Sequence, residues 1–239
     1  LGLIHYFRSR THPEARTEAR GALRRAARLI PNDLELWARL AEVCEWLQDS
    51  DGALRAWQQV GRMHPQVVMG EKPLVVTAWE RVAHHAAVLK RYEAKREAIL
   101  ALCQRRNPES THLKQLEDLA REQVGSGFLA HAEESFRLLG QHLNAEPSLW
   151  ENIALIQLRT ERFEEALASL SQAEGLRKSQ RVSFSIGLSL MNLGRFKEAE
   201  ARWRTLLAEV DAAPEDKNFP GSVRALLGID YYKKQFQSL

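Results

Sequence analysis

Eight histidines, two cysteines and several paired carboxylates are the side chains that could do chemistry in this 239-residue chain. Their spacing argues against it. His84 and His85 are adjacent, so on a helix they point to different sides and cannot share a metal as an i, i+4 pair would. There is no His-Glu-x-x-His and no Cys-x2-Cys. There is no Gly-x-Gly-x-x-Gly, no phosphate-binding loop and no Gly-x-Ser-x-Gly turn for a nucleophile. The carboxylate pairs Glu133-Glu134 and Glu164-Glu165 fall near turns, where outward solubilising or capping residues are expected. Cys44 and Cys103 stand at helical core positions and read as buried, inert thiols. The expectation is a non-enzyme with no catalytic residues, no metal and no cofactor.

What must position the remaining side chains is a repeat. Trp37-x2-Leu40-Ala41-x2-Cys44 is followed by Ala53-x3-Trp57 and then Pro65. Two helices cross closely only where the side chains at the crossing are small, and Ala41 and Ala53 supply that. Trp37 and Trp57 fill the gaps beside them, and Pro65 stops the second helix. The same ruler fits elsewhere. Leu3, Leu116, Trp150 and Ser183 open windows in which Ala19, Ala132, Ala166 and Ala199 follow, each 16 residues on, as Ala53 follows Trp37. Trp79-x2-Val82-Ala83 opens one more window, but its second small position falls on Lys95 or, one residue off, Ala94. Gly194 sits where a short turn between helices wants a positive φ.

This pattern, Trp-x2-Leu-Ala-x2-Cys then Ala-x3-Trp then Pro, resembles the tetratricopeptide repeat (TPR). The resemblance implies an all-α fold, an α-solenoid with a right-handed superhelix of about six helix-turn-helix units and a partial terminal repeat. The expected boundaries are 1–33, 34–67, 77–110, 113–146, 147–179, 180–214 and a partial unit at 221–239. Loops are expected over 66–76, with Gly70 and Pro73, and over 211–222, with Pro214 and Pro220. No sustained period-two run of β-branched residues signals a strand. The chain begins with Leu1 and ends one helix into a repeat, which suggests a piece of a longer protein.

Charge narrows the partners. Thirty-four basic residues face 31 acidic ones, for a net charge of +3, which disfavours nucleic acid as the partner. The distribution is uneven: residues 1–30 hold seven arginines against Glu14 and Glu18. A solvated outer helix face accounts for them, with a basic docking patch as the alternative.

In a TPR array the first helix of each repeat lines the groove. Stepping along those helices away from the packing face gives Glu35, Ala38, Glu42, Glu45 and Trp46 in the second repeat. Later repeats offer Lys114, Glu117 and Arg121, then Ser148, Glu151, Leu155 and Arg159, then Arg181, Phe184, Leu188 and Met191, and finally Ile229 and Tyr232. Glu35, Glu42 and Glu45 beside Trp46 would make an acidic, aromatic strip suited to a basic partner surface. Phe184, Leu188 and Met191 would make an apolar anchor for a peptide, or would pack within the array. The acidic residues would repel a C-terminal carboxylate, so the carboxylate clamp of chaperone-binding TPR domains is not expected.

A narrower resemblance rests on residues 36–65, LWARLAEVCEWLQDSDGALRAWQQVGRMHP. It looks like the periplasmic TPR regions of bacterial exopolysaccharide-export proteins, the Pel outer-membrane exporters in particular. That resemblance implies a periplasmic, non-catalytic scaffold for biofilm polymer export, tethered to an outer-membrane barrel. Its partner would be the Pel deacetylase/hydrolase PelA. The alternative is a groove that binds the Pel polysaccharide directly and guides it to the pore.

Overall fold

Asp33 and Asp49 show how the helices are bounded. Each precedes a helix, and its carboxylate accepts a backbone N–H three residues on, from Leu36 at 3.1 Å and from Gly52 at 2.9 Å. Those first-turn N–H groups have no partner within the helix itself. Pro147, with no N–H to leave unpaired, opens another helix.

The computed structural model describes residues 2–63, 68–69, 72–143 and 146–212. Among these the chain forms twelve α-helices in six successive pairs. They are α1 (Gly2–Thr11) with α2 (Arg16–Leu29), α3 (Leu34–Trp46) with α4 (Ser50–Arg62), and α5 (Leu74–Val88) with α6 (Tyr92–Cys103). Then come α7 (Ser110–Gly125) with α8 (Leu129–His142), α9 (Pro147–Arg159) with α10 (Phe163–Leu176), and α11 (Gln180–Asn192) with α12 (Phe196–Ala212). This is the all-α, paired-helix solenoid class expected from the repeat. Two compact units divide between Leu116 and Glu117. No helix among the described residues is long and apolar enough to cross a membrane.

The small residues lie where the ruler puts them. Ala19, Ala41, Ala53, Ala120, Ala132, Ala154, Ala166 and Ala199 are fully buried. Gly187 takes this place in α11, and a Cβ there would stand 2.0 Å from the Trp203 ring nitrogen. Trp203 Nε1 instead donates to the Phe184 carbonyl at 3.2 Å. In the third pair Lys95 does occupy the second small position, half-buried, while Ala98, Ile99 and Leu102 carry the packing of α6.

The turns within pairs repeat as strictly as the crossings. Gln48, Lys90, Gly127, Glu161 and Gly194 all have φ between +54° and +81°. Each lies eleven residues after the first ruler position, at 37, 79, 116, 150 and 183. The next N–H reaches back into the helix: Asp49 to Cys44, Arg91 to Ala86, Phe128 to Gln123, Arg162 to Gln157 and Arg195 to Leu190, at 2.8–2.9 Å. Each turn residue itself donates three residues back, as from Gln48 to Glu45. This is the Schellman ending, which satisfies two orphan carbonyls. A left-handed residue other than glycine costs about 1–2 kcal/mol. Two hydrogen bonds of about 1 kcal/mol each offset that, so three of the five turns tolerate a side chain. The first pair is the exception: a 3-10 turn, Pro13–Ala15, joins α1 to α2.

The surplus between the second and third pairs is a hairpin. Two two-residue strands, β1 (Val68–Met69) and β2 (Lys72–Pro73), pair antiparallel. α5 begins at once, at Leu74, so the loop expected to run to 76 ends sooner. α12 likewise runs to Ala212, into the loop expected from 211. The rest of that loop, the partial terminal repeat, Ile229 and Tyr232 lie outside the described residues.

Polar side chains join helices both within and between pairs in the second unit. Ser135 donates to Gln123 at 2.9 Å, and Ser169 donates to Gln157 at 2.8 Å, at equivalent places one repeat apart. Glu133, expected to face water, is buried. It accepts from Arg137 at 2.8 Å, from Gln157 at 3.1 Å and from Arg162. Burial alone would raise its pKa, but the hydrogen bonds from Arg162 and Arg137 outweigh that and hold the carboxyl below the usual glutamate range. Glu134, Glu164 and Glu165 stay exposed as expected. Cys44 and Cys103 are buried thiols whose pKa burial pushes up to about 11, which keeps them protonated and inert at neutral pH.

Two predictions follow from these contacts. Replacing Gln48, Lys90 and Glu161 together by glycine removes the left-handed strain at some cost in unfolded-chain entropy. The urea midpoint should rise, by roughly 0.5–1 kcal/mol per site; a fall would contradict the turn assignment. Glu133 has a depressed folded pKa, so its stabilisation is present above the unfolded value of about 4.3 and is lost as pH falls through the folded value. Glu133→Gln should cost about 2 kcal/mol at pH 7 and flatten the acid limb of a stability-versus-pH curve. An unchanged acid limb would show that the carboxylate is not held as described.

Candidate functional site

The expected acidic strip on α3 is drawn into the fold. Tyr6 of α1 donates its hydroxyl to Glu42 at 2.5 Å, and Arg39 donates to both Tyr6 and Glu42 at 3.2 Å. Burial, then this hydrogen bond, raises the Tyr6 pKa. Trp46 stacks on Tyr6 at 5.6 Å between centroids, with the Arg16 guanidinium 5.5 Å over its ring. Glu45 accepts from Trp57 Nε1 at 2.9 Å and faces His85 Nε2 at 3.1 Å. Glu35 pairs with Arg39 at 3.6 Å and is the one carboxylate of the three that stays more than half exposed, at 53%. Ala38 is buried. The strip is therefore not a free anionic surface. Each carboxylate meets an arginine from its own or a neighbouring helix, 3 to 36 residues away, and Trp46 packs against the first unit's core.

A second polar cluster escaped the sequence reading. Glu80 of α5, Glu109 and His112 place three potential metal-donor atoms within 4.8 Å of one another. The hairpin delivers Lys72 into the same place, with its ammonium 2.8 Å from Glu80 and 3.0 Å from Glu109. His112 Nε2 lies 3.0 Å from Glu80. Hydrogen bonds from Lys72 hold Glu109 below, and those to Glu80 and Glu109 hold Lys72 above, their usual pKa values. The lysine supplies the positive charge that two carboxylates need, so the set reads as a clasp between hairpin and helices rather than a metal site.

The first helices of the second unit keep a more open face. Arg121, Leu155 and Leu188 share one register position on α7, α9 and α11, and Glu117, Glu151 and Phe184 share another. Arg121 pairs with Glu117 at 2.5 Å and is exposed. Glu151 is half-buried and Arg159 exposed. Leu155, between them on the same stripe, is 44% exposed. Phe184 and Met191 are half-buried against the second unit's core, with Phe184 6.2 Å from Trp203, so the expected apolar anchor is mostly spent on packing. No described cluster joins a nucleophile, a base and its orienting partner.

No curated protein matches the chain. Among solved structures, the C-terminal part of a TPR repeat-containing protein from Cytophaga hutchinsonii is 13% identical with a TM-score of 0.52. The match covers 98% of this chain and 88% of that one. The type III secretion translocator chaperone SycD of Yersinia enterocolitica is 21% identical with a TM-score of 0.49, over 57% of this chain and 94% of its own. The TPR2AB domain of yeast Sti1, solved as a complex with pHSP90, is 11% identical with a TM-score of 0.43, over 98% and 97%. Residues 117–180 match the family model of the tetratricopeptide repeat, and the fold is shared with the Cytophaga hutchinsonii repeat protein.

Proposed function

We propose that the chain is a non-catalytic scaffold that binds a protein partner. The observation that carries this reading is the stripe Glu151–Leu155–Arg159 on α9. It presents both signs of charge around an exposed leucine, on the helices that line the binding surface of such arrays. A mixed polar and apolar patch on rigid helices suits a protein surface, where an apolar anchor gives affinity and flanking charges give orientation. Arg121, in the same unit, adds a further exposed charge on a first helix.

The finer reading rests on the sequence resemblance of residues 36–65 to the Pel exporters. It makes the partner the periplasmic Pel deacetylase/hydrolase PelA and places the chain beside an outer-membrane export pore. The Pel polysaccharide itself is the competing ligand.

Calorimetry of the chain with the purified Pel deacetylase/hydrolase tests both levels. Saturable binding is expected, weakened by roughly tenfold in a Glu151→Arg/Arg159→Glu variant that melts at the parent temperature. Saturable heat with deacetylated oligosaccharide and none with the enzyme would replace protein docking by polymer binding. Silence with both would remove the Pel assignment.

A further inference from the structure

The arginines of α2 gather on a cleft that the groove reading does not use. Arg20, Arg24 and Arg28 stand one turn apart on α2. Arg55 and Arg62 face them from α4, across a cleft of about 540 Å³ floored by α3, with Trp37 in its lining. Three of the five guanidiniums are neutralised: Arg20 by Asp49 at 3.2 Å, Arg55 by Asp51, and Arg62 by Glu97 at 3.0 Å. Arg24 and Arg28, both exposed, have no such carboxylate among the described residues. Asp49 is the one acidic residue in the lining.

This cleft lies between the second helices of two pairs, on different helices from the Glu151–Leu155–Arg159 stripe. Its charge would repel a cationic amino-sugar polymer. It would attract carboxylates, which guanidinium forks bind bidentately. Leu40, Ala56 and the Trp37 ring beneath the arginines give an apolar side chain somewhere to rest. The chain as a whole is nearly charge-balanced, which disfavours a long polyanion as the ligand.

We infer that the α2–α4 cleft docks an acidic segment of a partner protein, through Arg24 and Arg28 with Trp37 at its side. The inference rests on the scaffold reading and adds to it a second docking face and the chemistry of what binds there.

The test uses a fluorescein-labelled eight-residue peptide with two leucines among glutamates and aspartates, followed by anisotropy at low salt. Saturable binding is expected, weakened roughly tenfold or more by Arg24→Glu/Arg28→Glu. The exposed pair Arg177→Glu/Lys178→Glu makes the same change in net charge in the second unit and should weaken binding by less than about threefold. All four side chains are exposed, so the variants should keep the parent melting temperature. Equal weakening by both pairs, or no binding, would overturn the cleft. Tighter binding of a heparin tetrasaccharide than of the peptide would overturn the peptide in favour of an anionic carbohydrate. Because the probe is not the export enzyme, a silent cleft leaves the scaffold reading standing, and an enzyme that fails to bind leaves the cleft result standing.

Discussion

Two helices joined by three residues can nest only if the chain reverses within those residues and nothing large stands at the crossing. Both conditions are met here at fixed register. Ala41 and Ala53, Ala120 and Ala132, Ala154 and Ala166, and Gly187 and Ala199 hold the small positions, and the alanines are all fully buried. Eleven residues into the ruler, a left-handed residue turns the chain and returns two hydrogen bonds to the helix it has just left. The large residue four positions after the second alanine then fills the remaining space: Trp57, Phe136, Leu170 and Trp203 are all buried. A repeat built this way buries one face on itself and offers the other to its neighbour, which is why helix pairs and not single helices are the unit of the fold.

The neighbour contacts are where the polar residues go. In the first unit Glu42, Glu45 and Glu80 each reach a tyrosine or histidine on another first helix. In the second unit Glu133 of α8 does the same work with Gln157 and Arg162 of the next pair, while the Gln–Ser bonds join the two helices of one pair. A buried carboxylate left unpaired would cost several kcal/mol, so each comes with its donors. This spends side chains that would otherwise be available to a ligand. A mixed stripe on α9 and the surplus arginines of α2 are among the side chains that remain exposed.

The repeat was legible because it is written in residue types: small residues 12 apart, large ones 4 further on. Gly194 announced its turn, since glycine is the residue that takes positive φ freely. Gln48, Lys90 and Glu161 gave no such signal, because two hydrogen bonds offset the strain and any polar residue is tolerated there. The ladder of buried acids was not legible either. Its partners lie 24 to 40 residues apart, and a glutamate near a turn looks the same whether it meets water or Arg162. The arginine cluster of α2 was plain in the sequence. That it shares a cleft with Arg55 and Arg62 is a consequence of how α2 and α4 stack.

The turn and the crossing together make the account's central claim, and residue-resolved hydrogen exchange measures it directly. The amides of Asp49, Arg91, Phe128, Arg162 and Arg195 sit just past helix ends, where a loop would leave them open to water. If each donates back into its helix as described, all five should exchange as slowly as amides of the helix interiors beside them. Exchange at the rate of the exposed first-turn amides of the helices they precede would contradict the shared turn, and with it the single register on which the fold is built.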